Sequence, residues 1–240
     1  PQSQCPDRDV SYNEMEYTGY LSPQALRSLP AAVSVGNHDG DNTNFSYHFH
    51  MPNQSSLGKT AAAGDYYFTY GKALFLMINA QSDDMEEHRQ FIEETVSRNE
   101  DCRWRIVILH QDIYGSALHS NEPEILTLRE QMTPILEEND IDLVLSGHDH
   151  AYSRSRMLKE GKESDQGTET EQRITYQNPA GILYLTGGSS SGSKYYDLTE
   201  KQQSYIAARW QENVPTYSII KISGNSLTIN TYRTDHGGKI

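Results

Sequence analysis

Cysteine is nearly missing from this 240-residue chain, which has only Cys5 and Cys102. A disulfide-dense scaffold is therefore excluded. One bridge tying the N-terminal arm to the body and two free thiols both remain open. Positive charge is scarce as well. Lys and Arg total 20 against 33 Asp and Glu, a formal net charge of -13. With no basic stripe in the sequence, no nucleic-acid partner is expected. No apolar run approaches membrane-spanning length, so no membrane span is expected. No signal peptide is visible, and there are no internal repeats and no clear interdomain linker.

What the chain does have is short apolar strands that end in histidine. Ile141-Asp142-Leu143-Val144-Leu145 runs through the small Ser146-Gly147 turn into His148-Asp149-His150. Ala31-Ala32-Val33-Ser34-Val35 runs into Gly36-Asn37-His38-Asp39, and Arg105-Ile106-Val107-Ile108-Leu109 into His110. A lone His-x-His pair fits a surface turn as well as a metal site. Three strands ending in histidine, in a chain with only nine, point to metal. The carboxyl edge of an open α/β sheet is where ligands bind, and imidazole is the commonest protein metal ligand.

Periodicity sets out the rest. Val10–Tyr20 is predicted as a helix. A short helix started by Ser22-Pro23 should turn Ala25, Leu26 and Leu29 inward, followed by a strand over Ala31–Val35. Alternation in Tyr47-His48-Phe49-His50 predicts a short strand whose histidines sit on a hairpin face. Asp65–Tyr70 and Ala73–Asn79 should pair around Gly71-Lys72. Asp84–Arg98 reads as an amphipathic helix with Met85, Phe91, Ile92 and Val96 inward and His88 on its surface. Glu122–Asn139 reads as a second helix and Ala151–Leu158 as a strand leaving the site. Lys159–Gln172 is expected to be a mobile surface loop. Ile182–Thr186 should be a strand, closed by a glycine-rich turn over 187–192 that lacks the Lys-Ser/Thr ending of a phosphate loop. Tyr217–Ser223 and Ser226–Tyr232 should form a hairpin at Gly224-Asn225.

Gly-Asn-His-Asp, an apolar strand closing in His, and Gly-His-Asp-His-Ala-Tyr, in that order, resemble the calcineurin-like metallophosphoesterase superfamily. Ala151-Tyr152-Ser153-Arg154 resembles the purple acid phosphatase branch, with Ser153 where Glu is usual. The resemblance implies an α/β fold, a two-sheet β-sandwich flanked by helices with the metal loops on one rim, in one domain over 1–240. It also implies a hydrolase of phosphoric esters, foremost monoesters, that uses a metal-activated hydroxide on a small phosphorylated substrate. Diester hydrolysis and a catalytically impaired remnant that binds one metal or a partner are the alternatives. In the parent family two ions are held, Fe with Zn, Mn or Fe. By resemblance Asn37, His110 and His148 hold the second metal and His150 serves the first. His38 contacts the phosphoryl group and assists the leaving oxygen. Asp39 stands beside it, placed to hold its ring in one tautomer. His119 is either a phosphate-binding histidine or an exposed loop histidine. The family's bridging carboxylate and the Tyr ligand that follows it have no counterpart on a strand before Gly36, so the first βαβ portion is expected to be missing. At most one weakly bound ion is then expected. The resemblance also implies a secreted or extracellular location.

Overall fold

Four nearly continuous apolar runs need cover on both faces, and together they make the centre of the sheet. They are β2 (Ala73–Met77), β3 (Trp104–Ile108), β4 (Leu143–Ser146) and β9 (Ile182–Thr186), adjacent and parallel in the order β2-β3-β4-β9. The computed structural model describes residues 10–170 and 173–240. Outside the parallel centre, β1 (Tyr66–Tyr70) pairs with β2 as the predicted antiparallel hairpin. On the other side β5 (Tyr152–Lys159) lies antiparallel to β9, and β10 (Ile206–Trp210) antiparallel to β5.

Alternation along the strands sends side chains to two different covers. Leu74, Leu76, Val107 and Val144 pack under α3 (Met85–Arg98) and α4 (Pro123–Glu138), where they meet Phe91, Ile92, Met132 and Ile135. Ala73, Ile106 and Leu143 face the other way. They meet Ile220, Ile222, Leu227 and Ile229 of the hairpin formed by β11 (Thr216–Ser223) and β12 (Ser226–Arg233). The arrangement is thus a helix layer, a large mixed sheet and a small second sheet. This is the α/β sandwich expected from the sequence.

Four local expectations are overturned. Residues 31–35 form no strand. Among the described residues no neighbouring strand pairs with them. Instead Val33 N–H donates to the Tyr66 hydroxyl (3.0 Å), which donates to the Val33 carbonyl (2.7 Å). The turn before this stretch is a single 3-10 turn, Gln24–Arg27, with no buried residue, and Leu29 is exposed. Tyr47–His50 is not a hairpin strand, because Asn44–His48 coils into α2. There the His48 ring stacks on Tyr17 and bonds Glu14 at 2.8 Å. Lys159–Gln172 is not a plain loop. β6 (Lys162–Asp165) pairs with β5, and β7 (Thr168–Thr170) pairs with β8 (Arg173–Thr175); 171–172 lie outside the described residues.

His88 is the fifth correction. It is fully buried, not on the helix surface. Its Nδ1 meets Asp65 Oδ2 at 2.6 Å and its Nε2 meets the Ser82 carbonyl at 3.1 Å. Both ring nitrogens face oxygens, and these partners raise the ring's affinity for a proton against the effect of burial. The Cys5–Cys102 pairing involves a residue outside the described ones; Cys102 is a free, partly buried thiol.

Candidate metal centre

Strands β3 and β4 are parallel neighbours, with Ile106 opposite Leu143 and Ile108 opposite Leu145. The ladder continues beyond them. Leu109 N–H donates to the Leu145 carbonyl at 3.2 Å and Gly147 N–H to the His110 carbonyl at 3.0 Å. His110 and His148 therefore leave the sheet side by side, with ring centroids 5.1 Å apart. His148 has φ of 65°, a left-handed conformation that non-glycine residues avoid unless their surroundings require it. The turn aims its Nδ1 at His110 Nε2, 3.2 Å away.

Asn37 completes a three-atom cluster, with its Oδ1 2.9 Å from His110 Nε2. A Cβ at Gly36 would stand 3.2 Å from the Cε1 and Nδ1 of His110, a tight contact that would press on the ring. Donor atoms around one ion with bonds of about 2.0–2.1 Å lie roughly 3 Å apart. The separations of 2.9 and 3.2 Å thus match a coordination shell. Burial, then the neighbouring His148 and His38, push the His110 ring down to about 3. Burial also lowers His148 and His150. Neutral imidazoles are the form that binds metal, so the donor chemistry fits a cation.

The remaining candidates divide. His38 and His119 line the same cleft of about 300 Å³ as Asn37, His110, His148 and His150. Within that lining His150 has its Nδ1 3.1 Å from the Lys194 carbonyl and its ring stacked on Tyr196. Asp39 is buried. It accepts from Gly36 N–H at 3.3 Å and from the Tyr17 hydroxyl at 3.4 Å, which braces the turn beside His38. Just beyond the glycine-rich turn, Lys194 and Tyr196 line the cleft.

A buried acid network joins the loops beneath the cleft. Asp149, 1% exposed, accepts from His119 N–H (2.9 Å), Ala117 N–H (3.0 Å) and the Ser120 hydroxyl (2.5 Å). Burial and the charge of Asp149 raise the neighbouring Asp112 carboxyl well above its ordinary value. Gly115 is required here, since a Cβ would lie 1.6 Å from Asp112 Oδ2.

Glu122, Lys194 and Tyr196 were not anticipated as site residues. Glu122 had a signal, lying three residues after His119 and directly before the proline that starts α4. Lys194 and Tyr196 had none, because a lysine and a tyrosine after a Gly/Ser turn look like ordinary loop. A wider groove of about 420 Å³ around Lys72, Arg98 and Cys102 contains no histidine.

The carboxyl rim of the large sheet thus gathers an amide oxygen and several imidazoles, a donor set that suits a metal ion. The chain belongs to the calcineurin-like phosphoesterase family, whose family model matches residues 7–152, and within it is similar to purple acid phosphatases. It is 27% identical to purple acid phosphatase 4 of Arabidopsis thaliana over 138 residues, 54% of this chain and 34% of that protein. It is 25% identical to the probable purple acid phosphatase 20 of the same plant, over 97% of this chain and 60% of that protein. The fold matches a purple acid phosphatase isolated from yellow lupin (Lupinus luteus) seeds with a TM-score of 0.73 and 17% identity, covering 94% of this chain and 42% of that one. The chain thus spans between about a third and three fifths of these two curated relatives.

Proposed function

We propose that this chain carries a phosphoric-ester hydrolase centre acting on phosphomonoesters, with Asn37, His110 and His148 as the ligands of one ion. The observation that carries it is the convergence of Asn37 Oδ1, His110 Nε2 and His148 Nδ1 within 2.9–3.2 Å steps. A bound ion supplies Lewis acidity and activates water. The chain's own residues do the rest. His38, exposed at the rim of the cleft, donates a proton to the leaving oxygen as general acid, a role worth roughly 10²–10⁴ in rate. His119 and Lys194 face the same cleft and hold phosphoryl oxygens. Tyr196, stacked on His150, forms an apolar wall that excludes water. His150 is the proposed ligand for a second ion, and its bond to the Lys194 carbonyl competes with that role. The Asn37, His110 and His148 set is therefore proposed to hold one ion, with slow turnover.

The test is metal-dependent turnover of nitrophenyl phosphate beside its bis-ester, with metal content measured on the same sample. Faster monoester cleavage that requires added metal and His38 supports the reading. Preference for the bis-ester would make the centre a phosphodiesterase. Absence of metal-dependent turnover with either ester would refute it.

A further inference from the structure

Glu122 has no place in the ligand set implied by resemblance, yet its carboxylate lies where a cation could take it. We propose that His119, Glu122 and His148 form a cation subsite for a divalent ion of the zinc, cobalt or manganese class, with Glu122 as a direct ligand. The proposal rests on the reading of His148 as a metal ligand and extends it.

One donor atom from each of the three residues lies within 4.8 Å of the others, and the His119 and His148 rings are 4.9 Å apart. Two imidazoles and one glutamate are a donor set of catalytic zinc sites, which leave a fourth position open. His148 has a nitrogen to spare, because its Nδ1 faces His110 while its Nε2 is buried without a hydrogen-bond partner. Such an orphaned buried atom costs stability unless something binds it. The other two residues are rigidly held. Asp149 fixes the His119 amide. Glu122 donates its own N–H to the His119 carbonyl at 3.0 Å and precedes Pro123 at the start of α4. Glu122 Oε1 lies 2.7 Å from His119 Nδ1, so the two already converge. Glu122 brings a carboxylate charge to the subsite, which the Asn37, His110 and His148 set lacks.

The competing role is indirect: Glu122 could orient His119 and never touch the ion, as carboxylates behind metal-bound histidines do. Cobalt separates the two. The full chain is titrated with Co²⁺ and followed by visible and near-ultraviolet absorption. Glu122→Gln is expected to weaken cobalt binding by about 10–100-fold. Glu122→Cys should create a thiolate-to-cobalt charge-transfer absorption above the wild-type baseline, which already includes Cys5 and Cys102. Glu122→His, which restores a ligand, should recover affinity that Glu122→Gln loses. Cobalt binding that needs His148 but gives no new absorption in Glu122→Cys and no recovery in Glu122→His would overturn the subsite and leave the proposed function standing. A wild type that takes up no cobalt, or is indifferent to His148→Ala, would overturn both.

Discussion

At the scale of single residues, the two most informative histidines play opposite parts. His148 holds a left-handed backbone to present its ring. His148→Ala should abolish tight metal uptake while the far-ultraviolet circular dichroism stays near wild type. Unchanged metal content by elemental analysis would remove it from the ligand set. His88 is structural. Burial disfavours its charge, but the short bond to Asp65, the charge of Asp65 and the Ser82 carbonyl outweigh burial and raise it above 6.5. Burial also raises Asp65, against the pull of His88. Both shifts have the same sign: the folded state holds protons more tightly than the unfolded chain. The stabilisation is complete below the unfolded histidine value and is lost as pH rises through the folded one. Urea midpoints should therefore fall on going from mildly acidic to alkaline buffer, and in His88→Ala the histidine part of this dependence should be lost while that of Asp65 remains. That variant should itself lose about 3–5 kcal/mol, because Asp65 is left buried and unpaired.

At the scale of elements, the sequence was most legible where one segment decides its own state. Runs such as Leu74-Phe75-Leu76 cannot face water on either side, and they became central strands. The histidines at the ends of β3 and β4 were placed correctly because strand ends are visible as the point where apolar residues stop. Ala31–Val35 looked the same but could not be judged alone, since a strand exists only with a partner. His88 was misjudged although it lies on the buried stripe, three residues before Phe91 and four before Ile92. Its identity as a titratable residue hid its position. The helix boundaries had a chemical signal: Asp84 accepts from Glu87 N–H at 3.0 Å as the N-cap of α3. Asp84→Ala should cost about 1 kcal/mol in denaturant unfolding. No loss would mean that packing against the core alone sets where α3 begins.

At the scale of the whole molecule, the net charge of -13 opposes an anionic substrate. Lys194 and a bound ion attract the phosphoryl group at close range, but the approach is through a repulsive field. Salt screens long-range repulsion over about 10 Å at ~0.1 M and leaves the short contacts less affected. The KM for a phosphomonoester should therefore fall as salt is raised, the reverse of an electrostatically steered enzyme. A KM that climbs with salt would mean that local positive potential at the cleft dominates. No helix among the described residues is long and apolar enough to cross a membrane.

The hydroxyl of Tyr66, bonded to both backbone groups of Val33, makes the candidate centre mechanically unequal. His110 and His148 are bolted to a parallel ladder, while Asn37 hangs from an arm moored by the Tyr66 phenol four residues upstream and by the Asp39–Tyr17 bond two residues downstream. An ion would meet two fixed jaws and one clasp, and the clasp would govern how long it stays. Tyr66→Phe removes the upstream mooring and keeps the ring. It should quicken amide exchange at Val33 and speed metal release several-fold, with little change in the rate of metal capture. Stopped-flow release into a chelator would show it, and an unchanged release rate would mean that the arm is held by its other contacts, the Asp39 bonds and the buried Val35 side chain.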